Sequence, residues 1–227
     1  MEDQLFDFLK SKPVPPRLQI RDALFGDIPL SRLLPISQEI LSMEPWASFA
    51  HAKELIDAHE TQGATQALRR ILEMPQLESR QYLQAWHFLR DLGVNPPQET
   101  EKELLGVVVE VGMPKGLDLV AAYPDHHARY YNFSGAGVVW ERPNESLDAQ
   151  IDDLLRIGAA AVQAIGIWKE SRPAAPPTGH ARINLLTPGG LRFGQGPLEL
   201  LGKDQLGGPL IASAFKLMQA LIKLTKK

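Results

Sequence analysis

The sequence predicts an α+β protein: a helical, bundle-like N-terminal region followed by an antiparallel sheet, a four-strand meander plus one or two later strands, with two helices packed mainly on one face. Three observations carry this. Four short apolar runs between Leu104 and Glu141 are separated by gaps too small for a crossover helix, so they pair antiparallel. A long stripe at helical spacing follows them, and three more precede them.

At the start, Leu5, Phe6 and Leu9 give a helical stripe in Met1 to Lys10, and Lys12-Pro13-Val14-Pro15-Pro16 stops it. Arg17 to Ser42, interrupted by Pro29 and Pro35, reads as short helical pieces joined by turns. Trp46, Phe49, Ala52, Leu55 and Ile56 then make one stripe, with Pro45 suited to a first helical position. Ala64, Ala67, Leu68, Ile71 and Leu72 make a second, and Tyr82, Leu83, Trp86 and Leu89 a third, which Gly93 should cap. No fixed period or solenoid marker appears, so a small bundle is expected. The aromatic residues Trp46, Tyr82, Trp86 and Phe88 read as its core rather than as a partner groove. Gly93 to Thr100, with Pro96-Pro97, is the expected boundary between a region 1–98 and a domain 99–227.

The four strands are expected at Leu104 to Val111, Leu117 to Tyr123, His127 to Phe133 and Val138 to Glu141. In the first, Leu105, Val107, Val109 and Val111 share a face opposite Gly106, Val108 and Glu110. In the second, Leu117, Leu119, Ala121 and Tyr123 lie opposite Asp118, Val120 and Ala122. Leu147, Ile151, Leu154, Leu155, Gly158, Val162 and Ile165 predict a helix on the apolar face, with acidic residues at its start where the dipole favours them. Small residues from Gly158 to Ala161 permit close approach. Arg172-Pro173-Ala174-Ala175-Pro176-Pro177 reads as an extended spacer, with PxxP recognition as the alternative. A strand at Ala181 to Thr187 hairpins into a shorter one around Leu191 to Phe193. A last helix starts near Pro209 and ends in Lys223, Lys226 and Lys227.

Composition narrows the function. The chain of 227 residues is 44% hydrophobic and 22% charged, which fits a folded globular protein. It has no cysteine, which excludes disulfides, thiolate catalysis and cysteine-held metals. Lys and Arg number 10 against 13 Asp and Glu over 1–98, and 14 against 14 over 99–227, so neither half has the basic excess that nucleic acid requires. The first residues lack a secretory pattern and no run is long enough to span a membrane, so a cytoplasmic protein is expected.

Chemistry-bearing motifs are sparse. Thr187 to Pro197 is glycine-rich but opens into no helix and carries no Gly-Lys-Ser/Thr, so it reads as a hairpin rather than a phosphate loop. Asp125-His126-His127 is the densest group of metal-ligand types, without a third partner. His51, His59 and His87 form no zinc pattern. No nucleophile elbow or dinucleotide-binding fingerprint is present. The candidate ligand- or partner-binding site is therefore the mixed face of the sheet. Glu110, Asp118, Arg182 and Asn184 fall there by alternation, joined by Arg129 and Tyr131 if the third strand keeps register. Cross-strand ion pairs on a solvated or docked surface are the structural alternative.

In Leu105-Gly106-Val107-Val108-Val109-Glu110-Val111, in Gly116-Leu117-Asp118 through Ala122-Tyr123, in Ala128-Arg129-Tyr130 with Asn132, and in Leu186-Thr187-Pro188 with Phe193-Gly194, the chain resembles an uncharacterised family of bacterial proteins. The resemblance covers most of 104–197 and brings no activity with it. Those proteins carry Asp-Gly at the central turn, where this chain has Asp125-His126. The combined expectation is a non-enzymatic, cytoplasmic bacterial module that binds a protein partner or a small polar ligand, without cofactor, metal, nucleic acid or membrane, and with a homodimer open to it. The alternative is a hydrolase-like enzyme using the mixed face and the 187–197 loop. A bound ligand or metal in a deep pocket beside Arg129 and Arg182 would favour the enzyme, and a broad exposed apolar patch or a symmetric dimer contact the binder.

Overall fold

Alternation in the middle of the chain becomes one six-stranded antiparallel sheet, ordered β4-β3-β2-β1-β5-β6. The strands are β1 (Gly106–Met113), β2 (Gly116–Ala122), β3 (Ala128–Tyr131), β4 (Gly137–Trp140), β5 (His180–Thr187) and β6 (Gly190–Pro197). The structure is a computed structural model that describes residues 20–33 and 37–225. The expected stripe at Leu5, Phe6 and Leu9, its proline stop, and Lys226 with Lys227 lie outside the described residues.

The first four strands form the predicted meander. The chain then crosses back over one face through α6 (Asp148–Val162), and β5 pairs with the free side of β1. Close crossing is possible because α6 presents Gly158 to the sheet: a Cβ there would come within 2.8 Å of the Leu104 and Val107 side chains. Beside α6 lies α8 (Gly207–Leu224), reached through the short α7 (Leu198–Leu201). Val107, Val109, Val120, Ala122, Ile183 and Leu185 from the sheet, Ile151 and Leu154 from α6, and Leu210, Leu217 and Leu221 from α8 make the larger core. The expected strand 191–193 extends to the end of β6, because antiparallel partners for Ala181 and Arg182 continue to Gly196 and Gln195.

Among the described residues before the sheet are the helical turns α1 (Leu30–Leu33) and α2 (Gln38–Leu41) and the longer helices α3 (Trp46–Asp57), α4 (Thr61–Leu72) and α5 (Ser79–Asp91). Their stripes meet as predicted. Phe49, Ala52, Leu68, Ile71, Trp86, Phe88 and Leu89 form a separate core, with the Phe49 and Phe88 rings edge to face at 6.2 Å. Pro45 sits one position before α3 rather than inside it. Gly93 closes α5 at φ +81°. Val94 N–H bonds the Leu89 carbonyl and Gly93 N–H the Arg90 carbonyl, the paired bonds of a left-handed helix stop.

Candidate functional site

Register decides what the mixed face is. The β1–β2 turn pairs Met113 with Gly116, so even-numbered residues of β1 stand opposite odd-numbered residues of β2. Glu110 therefore shares its face with Leu119, and Val111 shares the other with Asp118. Followed across the sheet, Tyr131, Leu119, Glu110, Arg182 and Gln195 form one row, and Arg129, Ala121, Val108, Asn184 and Phe193 the next. Five of the six predicted site residues thus share a face. Asp118 does not: it lies on the side covered by α8, and the expectation that grouped it with Glu110 is corrected by that turn. Leu105 is corrected for a different reason: it precedes β1, where strand alternation no longer applies, and packs with Val108 and Tyr123 rather than with Val107.

Nor is this face open. Residues 20–28 lie across it, with Leu24 and Phe25 packed on Val108, Leu119, Ala121 and Tyr123. The Tyr123 hydroxyl donates to the Leu24 carbonyl at 2.7 Å, and burial pushes its phenol pKa up. Glu110 is 0% exposed and Arg182 3%. The Glu110 carboxylate accepts from Arg21 at 2.5 Å, from Arg182 at 3.3 Å and from Asn184 at 3.1 Å. Arg21 and Arg182 both donate to the Pro173 carbonyl of the spacer, at 2.8 and 3.2 Å. Arg172 stacks 4.1 Å over the Phe25 ring and bridges Asp22 and Asp27. At the far side Arg129 donates to the Ala128 and Trp140 carbonyls and to Glu141, and Tyr131 is half-buried. Strands β2 and β1 separate Arg129 from Arg182 in the sheet. Arg21, Glu110 and Arg182 thus hold 20–28 and the 172–177 spacer to the sheet, while Asn184 Nδ2 donates to the Val108 carbonyl and Glu110 and its Oδ1 is buried without a partner among the described residues.

Asp125 is occupied too. It takes the N–H groups of Ser79 at the start of α5 and of His127, at 2.8 and 3.0 Å. His126 has φ +60°, the left-handed conformation that a glycine would adopt at no steric cost, and turns to Asp152 on α6 at 3.0 Å. His127 faces Glu141 instead, so the two rings diverge. Among the described residues no group of three acidic or histidine side chains is arranged to hold a metal. The 187–190 turn is packed against Glu101, whose carbonyl accepts from Gly189 N–H.

The other face carries an apolar concavity. A groove of about 400 Å³ runs between the sheet and the α7–α8 pair. Val109 and Val111 of β1 and Val120 of β2 floor it; Leu198, Ile211, Ala212, Phe215 and Met218 form its helical wall. Asp118 is the one charged residue among those lining it. Its Oδ1 accepts from Phe133 N–H at 2.7 Å, while Oδ2 has no hydrogen-bond partner, and the carboxylate no ion pair, among the described residues. Phe215 stands 53% exposed at the rim. Sequence reasoning missed this groove. Its signal was Phe215, the large apolar residue off the α8 stripe.

Burial raises the Asp118 carboxyl above the ordinary aspartate range, and the Phe133 amide only partly offsets it. An acid whose folded pKa exceeds its unfolded one binds more protons when folded, so it subtracts stability once pH passes the folded pKa. Asp118→Asn keeps an acceptor for Phe133 N–H and removes the titration. Its stability relative to the native chain should rise between pH 4 and pH 8, by less than about 1 kcal/mol at a partly exposed site. Urea melts at both pH values measure this, and a difference that falls with pH would contradict it.

No family model, curated protein or solved structure matches the chain. Among the described residues no helix is long and apolar enough to cross a membrane.

Proposed function

We propose that this chain is a non-enzymatic binding module, and that its site is the groove between β1–β2 and α7–α8. The observation that carries the reading is the groove itself: an apolar concavity of about 400 Å³ with a single charged lining residue, within the size range and character of small-molecule sites. Support comes also from the contrast with the mixed face, whose charged groups are paired with one another and buried beneath 20–28. A hydrolase-like reading draws less support, since the Glu110 carboxylate and the Arg182 guanidinium are engaged with one another, with Arg21 and with Gln195 there. A bacterial setting is part of the proposal and rests on the resemblance over 104–197; a cytoplasmic one is carried with it.

The test uses Ala212, which lines the groove yet is exposed, so a larger side chain there fills space without entering the core. Octanol should shift the Met218 methyl resonance of methyl-labelled protein, and Ala212→Trp should abolish the shift while leaving the melting temperature within about 2 °C, as expected of a surface change within ~0.5 kcal/mol. Shifts spread over all methionines, or unchanged in Ala212→Trp, would remove the groove from consideration.

A further inference from the structure

We infer that the groove selects an aliphatic amine: an apolar chain laid along α8 with a protonated amino head seated on Asp118. This rests on the reading of the groove as the binding site and names the class of guest it takes.

Charge and geometry carry it. The walls offer a guest only apolar side chains and backbone, so orientation inside the groove must come from the one group that differs, the Asp118 carboxylate. Half of that carboxylate is committed to Phe133 N–H, and Oδ2 is left without a hydrogen-bond partner among the described residues. A negative charge with a spare acceptor in a partly dehydrated apolar wall complements a cationic donor, because a charge-assisted N–H···O bond is about twice as strong as a neutral one. It repels a carboxylate head. An alcohol can make the bond but brings no charge. The same side chain also marks the guest's polar end: Asp118 sits beside Phe133 at the β2–β3 margin, while the apolar wall continues through Ile211 and Met218 on the helix side.

Octylammonium, octanol and octanoate share one chain and differ in the head, so their titration into native protein by calorimetry, below their aggregation concentrations, reads the head group directly. Octylammonium should bind about ten-fold more tightly than octanol, as one charge-assisted bond implies, and octanoate more weakly than either. Asp118→Asn should level the amine and the alcohol, and Ala212→Trp should abolish all three. Equal binding of amine and alcohol by the native chain, with both lost in Ala212→Trp, would leave the groove as a site and overturn the amine. No saturable binding of any of the three would overturn both. Concentration-dependent dimerisation of the native chain, lost in Phe215→Ser, would assign the groove to a second copy and likewise overturn the amine.

Discussion

Replacing Glu110 by alanine is expected to cost about 3–5 kcal/mol, the usual penalty for removing one partner of a buried ion pair. The loss would come less from the contacts deleted than from what they leave behind. Arg21 and Arg182, 5% and 3% exposed, would keep their charges inside the protein with only the Pro173 carbonyl and Gln195 as acceptors. Burial already pulls the Arg182 guanidinium below its ordinary pKa, against the opposing pull of Glu110. In a chain of this size the melting temperature should fall by about 10 °C. Glu110→Gln, which keeps the shape and an acceptor for Asn184, should lose less. A triple replacement of Arg21, Glu110 and Arg182 by apolar residues of similar volume should approach native stability, since it leaves no uncompensated charge. A Glu110→Ala protein melting within about 1 kcal/mol of native would mean that the network is solvated and that 20–28 does not cover the face.

That network also explains which parts of the fold were legible in the sequence. Strand and helix positions were, because period 2 and period 3.6 are local properties that a few residues display. The pairing parity of β1 and β2 was not. Both faces of β2 are apolar, Leu119 and Ala121 on one and Val120 and Ala122 on the other, so alternation alone left the register open and the turn between Met113 and Gly116 decided it. Glu110, Arg182 and Asn184 were correctly placed together, but their partner Arg21 lies 89 residues from Glu110, in a proline-broken stretch with no period of its own. The groove was less legible still. It exists because α8 stands off β1 and β2 at Asp118, and no spacing rule encodes that distance.

The second large effect belongs to the spacer. Gly112 of β1 lies directly beneath it: a Cβ at that position would come within 2.2 Å of the Pro177 carbonyl oxygen and 2.6 Å of that of Pro176. Those are backbone atoms, so no side-chain rotation relieves the clash. Gly179 N–H, bonded to the Gly112 carbonyl at 2.9 Å, holds the spacer from the other side. Gly112→Ala must therefore lift the spacer or bend β1, at a cost of about 1–3 kcal/mol, the range for overpacked cores. Because the same spacer carries the Pro173 carbonyl shared by Arg21 and Arg182, lifting it should also loosen the Glu110 network. Two sites that share a partner in this way are expected to couple by at least about 0.5 kcal/mol. The measurement is a double-mutant cycle of Gly112→Ala with Arg21→Met, followed by urea unfolding. Strict additivity would show that the spacer and the 20–28 segment are held independently, and a Gly112→Ala protein as stable as native would place the spacer farther from the sheet than the described contacts do.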